Sequence, residues 1–247
     1  MSRYCLITGA SSGLGRELAV QYAKVGWQVI AIARSADALN ELHRQHQNIH
    51  ALPVDLTDSD AFSAAIASVS EQIPALDLVV LNAGSCDYVD ATDLPLAIFE
   101  RTMALNFQAQ VTAVKLLLPL LQKSVDPTLA VVSSLAHLFP FTKAQAYGAS
   151  KAALSYFAES MRVDLADTKV RVSLIEPGFV DTPLTQKNDF EMPFLLQVED
   201  AAKRIRSGLD AQKLRIRFPK RLVLSLQLLN LLPYSLRCKV AAGMRQP

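Results

Sequence analysis

Short apolar runs near residues 4 to 8, 28 to 33, 50 to 54, 77 to 82, 128 to 133 and 169 to 175 alternate with stretches of helical length. A strand that is apolar throughout has no face suited to water, and the helical stretches between such strands supply a cover for both faces. Alternation of this kind implies an α/β fold with a mostly parallel, doubly wound sheet and a ligand site at the carboxyl ends of the strands. The 247 residues, 51% of them hydrophobic and 19% charged, suffice for one full core. No internal repeat, low-complexity tract or Gly/Ser linker divides the chain, so a single domain over 1–247 is expected.

The first apolar run leads through Gly9, Ser11, Ser12, Gly13, Leu14 and Gly15 into Arg16–Ala23, which has helical periodicity. Strand, glycine turn and helix in this order let the backbone approach a pyrophosphate, whose charge then lies at a helix N-terminus. The spacing is G-x-x-x-G-x-G, which departs from the commoner G-x-G-x-x-G. The second run ends at Ala33, Arg34 and Ser35 with no acidic residue beside it. An acid there would accept hydrogen bonds from a ribose diol and repel a 2'-phosphate, whereas an arginine attracts that phosphate. Arg34 therefore argues for NADP(H) over NAD(H), the alternative being a solvated residue at a strand end.

Tyr147-Gly148-Ala149-Ser150-Lys151 places a phenol and an amine four residues apart, with Ser133 and Ser134 upstream. Four residues are about one helical turn, so in a helix the two side chains serve one site. A free tyrosine, with a pKa of about 10, keeps its proton at neutral pH, and a nearby ammonium favours the phenolate and eases proton exchange with a carbonyl oxygen.

The ordered set Thr8-Gly-x-x-x-Gly-x-Gly15, Asn82-Ala83-Gly84, Asn106, Ser134, Tyr147-x-x-x-Lys151 and Pro177-Gly178 resembles the short-chain dehydrogenase/reductase family over roughly residues 3 to 190. The resemblance implies a Rossmann-type domain with a seven-stranded sheet, and an oxidoreductase that moves hydride between nicotinamide and a carbonyl or alcohol. By resemblance Tyr147 is the acid/base, Lys151 lowers its pKa and holds the nicotinamide ribose, Ser134 polarises the substrate carbonyl, and Asn106 binds a water that links Lys151 to solvent. Ser134 is preferred to Ser133 because the family places its serine thirteen residues before the tyrosine. Asp55 and Leu56 resemble the adenine contact, and Pro177, Gly178, Val180 and Thr182 the segment that fixes the nicotinamide carboxamide. Leu81 stands where many relatives carry a second asparagine. Residues 183–197, with Phe190, Met192, Phe194, Leu195 and Leu196, match the family's substrate lid, and with Leu135, Leu138, Phe139 and Phe141 they suggest a hydrophobic substrate. A homodimer or homotetramer is implied, built on long helices near 106 to 123 and 147 to 167. The competing readings on the same fold are a catalytically silent NADP(H) sensor and a membrane- or protein-interaction protein.

The start Met-Ser-Arg followed at once by a strand lacks a secretory pattern, and three scattered cysteines, Cys5, Cys86 and Cys238, suit reduced thiols, so a cytoplasmic protein is expected. Cys86 reads as an incidental small residue near the site. His43, His46 and His50 have no cysteine or acidic cluster to complete a metal shell, and His137 reads as a residue of the substrate entrance. A net charge of +2 gives no reason to expect nucleic acid. Basic residues crowd 203–221 and are followed by the apolar stretch Leu222–Leu232, within a C-terminal extension over 218–247. That stretch is too short to span a bilayer, which takes about 20 residues. It reads as a helix packed on the substrate cleft or on another subunit, or else as a peripheral contact with an anionic membrane.

Overall fold

The computed structural model describes residues 2–188 and 191–243. Seven strands, β1 Tyr4–Thr8, β2 Gln28–Ala33, β3 Ile49–Pro53, β4 Leu78–Leu81, β5 Thr128–Val132, β6 Arg171–Pro177 and β7 Arg215–Phe218, form one sheet in the order β3-β2-β1-β4-β5-β6-β7. Every pairing is parallel. Six of the strands coincide with the apolar runs to within a few residues. The seventh, Arg215-Ile216-Arg217-Phe218, lay hidden in the basic stretch because an edge strand needs only alternate apolar residues.

Successive residues of β1 show why the strands are apolar on both faces. Cys5 and Ile7 join one core layer and Leu6 the other, all three fully buried. The first layer is closed by α1 (Gly13–Lys24), α2 (Ala36–Gln45) and α7 (Val198–Asp210). On the opposite face lie α3 (Ser59–Gln72), α5 (Ala109–Leu121) and α6 (Gln145–Asp164). The order of strands reverses between β1 and β4, which opens a crevice beyond their carboxyl ends.

The helix expected from about residue 106 is interrupted. α4 (Leu96–Met103) runs into a π-helical turn, Ala104–Gln108, before α5 begins, and Ala109 N–H reaches back to the Ala104 carbonyl. A widened turn frees a main-chain carbonyl, and the Gln110 amide fills the gap by donating to Leu105 O at 3.0 Å. The remaining helices, α8 (Lys220–Asn230) and α9 (Tyr234–Gly243), stand outside the two layers. Leu222 and Leu226 of α8 pack with Leu135 and Phe139, so the C-terminal segment covers the wall that follows Ser134.

Candidate active site

The glycine turn is held by the strand beside it. Thr8 Oγ1 accepts from the Asn82 and Ala83 N–H groups at 2.9 and 3.0 Å, and Asn82 Nδ2 donates to Thr8 O at 3.0 Å. Leu81, which replaces a family asparagine, is buried, and these bonds close the strand end without it. A Cβ at Gly15 would collide with the Gly9 carbonyl and lie 2.5 Å from Asn82 Nδ2, so only glycine admits this approach of α1 to the turn. Gly9 itself has φ +70. Ser12 is the N-cap of α1, yet its side chain makes no capping bond and no acid occupies the first turn. Ser11 and Leu14 are half-buried beside it. Free N–H groups, a free hydroxyl and the positive end of a helix fit a dinucleotide pyrophosphate.

At the end of β2 the Arg34 side chain is 78% exposed, and its nearest carboxylate is Asp55 at 3.9 Å. Asp55 also accepts from Thr57 N–H and Oγ1 at 2.9 and 2.7 Å, and these bonds hold its carboxyl below the usual range. Leu56 turns into the core layer that holds Ile32 and Phe62. On the far side of the crevice Pro177 ends β6, and Gly178 N–H donates to Phe218 O at 2.8 Å. Val180 is buried and bridges Leu196, and Thr182 N–H donates to Thr185 Oγ1 at 3.0 Å. A Cβ on Gly13 would lie 3.2 Å from Thr182, so this loop closes over the glycine turn.

Between these two walls the four polar residues converge. Tyr147 and Lys151 project from one face of α6, with Nζ 5.8 Å from the phenol ring centre. Lys151 is buried and donates to Val132 O at 2.9 Å. Gly84 brings the third member close, since a Cβ there would lie 3.3 Å from Lys151 Nζ and 3.1 Å from Asn106 Oδ1. Asn106, fully buried in the π-helical turn, accepts from Ser85 N–H at 2.8 Å and donates to Ser85 O and Ser150 Oγ, both at 2.9 Å. Ser133 and Ser134 face opposite ways. Ser133 Oγ donates to Lys151 O and meets Ser155 Oγ inside the fold, whereas Ser134 Oγ accepts from Ala136 N–H at 3.1 Å and lies on the side of the Tyr147 phenol.

Burial pushes the Tyr147 pKa above its ordinary value, nearby Cys86 adds to the rise, and the neighbouring Ser134 hydroxyl partly opposes it. The same burial pulls the Lys151 ammonium down to about 8. Removal of water is the largest cause in both, raising the proton affinity of the phenol and lowering that of the amine.

Cys86 is half-buried beside the site, and burial is the chief cause that pushes its thiol up to about 11. Two features escaped the sequence reading. Gln110 ties the π-helical turn to the Asn82–Gly84 segment through Ala83 O at 3.0 Å. Glu176, fully buried near the end of β6, accepts from Arg215, Arg217 and His137, the Arg217 Nε bond being 2.8 Å long. Burial alone would raise its pKa, but the three donors hold it well below the carboxylate range. An acid inside the apolar strand Val172–Pro177 was the available signal, because a buried carboxylate requires a cationic partner and Arg215 and Arg217 alternate on one strand. His137 thus braces the segment after Ser134 against β6. His43 and His50 are bonded to Ile49 O and Gln28 Oε1, and His50 lies on β3, not on a helix.

The segment 183–197 is tied down by Tyr88 Oη donating to Asn188 Oδ1 at 2.6 Å and by Leu196 N–H donating to Phe179 O at 3.0 Å. Phe194 and Leu195 are exposed and Met192 is half-buried. Phe190 lies outside the described residues.

A parallel sheet with a glycine turn at its switch point and a Ser–Tyr–Lys cluster beside it defines a nicotinamide-dinucleotide oxidoreductase. The family model for short chain dehydrogenase matches residues 3–192. The chain belongs to the short-chain dehydrogenase/reductase family. It is 36% identical over 247 residues to an uncharacterized oxidoreductase of Myxococcus xanthus, an alignment that covers 98% of each chain. The NADP active-site complex of Pseudomonas aeruginosa RhlG is 28% identical, with a TM-score of 0.70 over 74% of this chain and 75% of that one. A short-chain dehydrogenase/reductase of Burkholderia phymatum in complex with NAD shares the fold at 18% identity, with a TM-score of 0.85 over 93% of each chain.

Proposed function

We propose that this oxidoreductase uses NADP(H) and acts on a hydrophobic carbonyl or secondary alcohol, with Tyr147 as the acid/base. The convergence of Ser134, Tyr147, Lys151 and Asn106 beside the glycine turn carries the reading. The reduced dinucleotide, when bound, supplies hydride for the carbonyl carbon. Tyr147, protonated over the whole neutral range, gives its proton to the carbonyl oxygen, so that hydride and proton together turn C=O into CH–OH. Ser134 donates to the oxygen as negative charge develops on it. Lys151 in its ammonium form stabilises the phenolate left behind and then returns a proton to it. Asn106, by resemblance, holds a water through which Lys151 regains a proton.

The exposed guanidinium of Arg34 and the free Ser12 hydroxyl support NADP(H), as a 2'-phosphate and a pyrophosphate need donors of this kind. The Pseudomonas relative was solved as an NADP complex and the Burkholderia neighbour as an NAD complex, so the choice of NADP(H) rests on Arg34. Leu135, Phe139, Phe141 and Phe179 share one apolar cluster beyond Ser134, which favours an apolar substrate over a densely polar one. Tyr156 and Val163, seven residues apart on α6, are 78% and 74% exposed, a face suited to the homo-oligomer contact expected of this helix. Three free cysteines suit a cytoplasmic enzyme. A silent sensor is disfavoured, because the proton donor, the amine and the serine are all present and adjacent.

A panel of hydrophobic aldehydes, ketones and alcohols, followed through nicotinamide absorbance with each cofactor, tests the reading. Turnover of apolar carbonyls with NADPH is expected. Turnover confined to NADH, or to densely charged substrates, would contradict it.

A further inference from the structure

We propose that the outer face of α8 and α9 is a docking surface for an anionic phospholipid bilayer, with headgroup phosphates seated in the groove between β7 and α8. A helix that covers a core turns a polar face outward. α8 does not. Leu222 and Leu226 pack inward on the wall beyond Ser134, while Leu224, Leu228 and Leu231, spaced four and three residues apart, share the opposite face and are 58%, 57% and 80% exposed. On α9, Tyr234 and Leu236 are exposed as well. Single exposed leucines are common on soluble proteins, but three aligned on one helix face, with further exposed apolar residues on the next helix, mark a contact surface.

Along the C-terminal stretch that carries this row the charge is of one sign. Residues 211–243 contain seven Lys or Arg and no Asp or Glu. Lys220 and Arg221 are exposed at the start of α8. A groove of about 350 Å³ lies beside them, lined by Arg215, Arg217, Lys220, Val223, Leu224 and Gln227. Glu176 and Glu159 bind the two arginines, and the four cations at positions 215, 217, 220 and 221 still outnumber these two carboxylates. Leu224 belongs to both the groove and the outer row, so a bound amphiphile can place its phosphate among the cations and its chains along the leucines. Positive charge beside an exposed apolar face complements an anionic bilayer surface. A second copy of the chain fits poorly, because a two-fold contact would set these cations against their own equivalents. With 11 residues, about 16 Å, α8 is too short to span and would lie in the plane of the interface. This inference is independent of the reaction at the active site.

Co-sedimentation of the full chain with phosphatidylcholine vesicles, with and without phosphatidylglycerol, tests it. The chain should pellet several-fold more with the anionic vesicles at low salt, and less at about 0.15 M salt. Each cation lost near the surface lowers partitioning about fivefold, so Lys220→Glu with Arg221→Glu should reduce it at least about 25-fold. Leu224→Asp with Leu228→Asp alters only exposed positions and should abolish pelleting while the circular dichroism spectrum is unchanged. No pelleting of the wild type at low salt would overturn the proposal, as would pelleting that survives the leucine changes. So would light scattering showing an oligomer that dissociates when those leucines are replaced, since a second copy would then cover this face.

Discussion

The nucleotide half of the crevice and the substrate half are built from different materials. Around β1, α1 and β4 the contacts are main chain to main chain or main chain to a short polar side chain, and specificity lies in where a Cβ is forbidden, as at Gly15. Around β6, β7 and α8 the contacts are between side chains: an apolar cluster of Leu135, Phe139, Leu222 and Leu226, braced by one buried carboxylate with two arginines and a histidine. The first arrangement fixes an invariant ligand through the backbone and leaves little room for variation. The second can be refilled with other side chains, so that one chemistry can be offered to many substrates.

That contrast can be broken at four points. The largest effect is expected at Tyr147, where Tyr147→Phe keeps the ring and removes only the proton donor. Turnover should fall by about 10²–10⁴-fold, while NADPH affinity, read by nicotinamide fluorescence, stays largely intact. Next comes Glu176, on the substrate half. Glu176→Gln leaves Arg217 without its carboxylate and Arg215 with Glu159 alone, and should cost about 1–3 kcal/mol of stability in denaturant titration. Because its pKa is depressed in the fold, Glu176 contributes stability above the ordinary carboxylate range, and that contribution is lost as pH falls through and below it. The variant should therefore show a flatter acid-side loss than the wild type. On the nucleotide half, Arg34→Asp should move the ratio of kcat/KM for NADPH over NADH by about ten- to a hundredfold toward NADH, the worth of one or two charge-assisted hydrogen bonds. The smallest effect is a pH limb. Lys151 carries its charge below about pH 8 and loses it above, so kcat/KM for carbonyl reduction should decline as pH rises through about 8. A profile flat to pH 10 would show that the Lys151 charge is not needed.

The nucleotide half was readable from sequence because backbone-defined sites use fixed spacings. Thr8, Gly9, Gly13 and Gly15 follow β1 and Asn82 follows its neighbour β4, and the alternation of apolar runs located six of the seven strands. Tyr147 and Lys151 were readable for a similar reason, being one turn apart on one helix. Their proton affinities were not, because burial depends on what the rest of the chain packs over them. β7 and the Glu176 cluster join residues 39 to 41 positions apart, and no local pattern reports such a pairing. The π-helical turn that carries Asn106 was hidden too, since its sequence Ala104–Gln108 has ordinary helical composition. The apolar stretch 222–232 was legible as a helix, but its two apolar faces became distinct only once Leu222 and Leu226 were seen against Phe139.

The central claim is that hydride reaches the substrate carbon while Tyr147 protonates the oxygen. Its most direct test is incubation of the enzyme with an apolar ketone and NADPH deuterated at the transferred position of nicotinamide C4, with the product read by mass spectrometry. The expected result is one deuterium on the new carbinol carbon for each NADPH consumed by the wild type, and incorporation slowed by about 10²–10⁴-fold with Tyr147→Phe although NADPH is still bound. Deuterium-free product from the wild type, or undiminished transfer by the variant, would contradict the account.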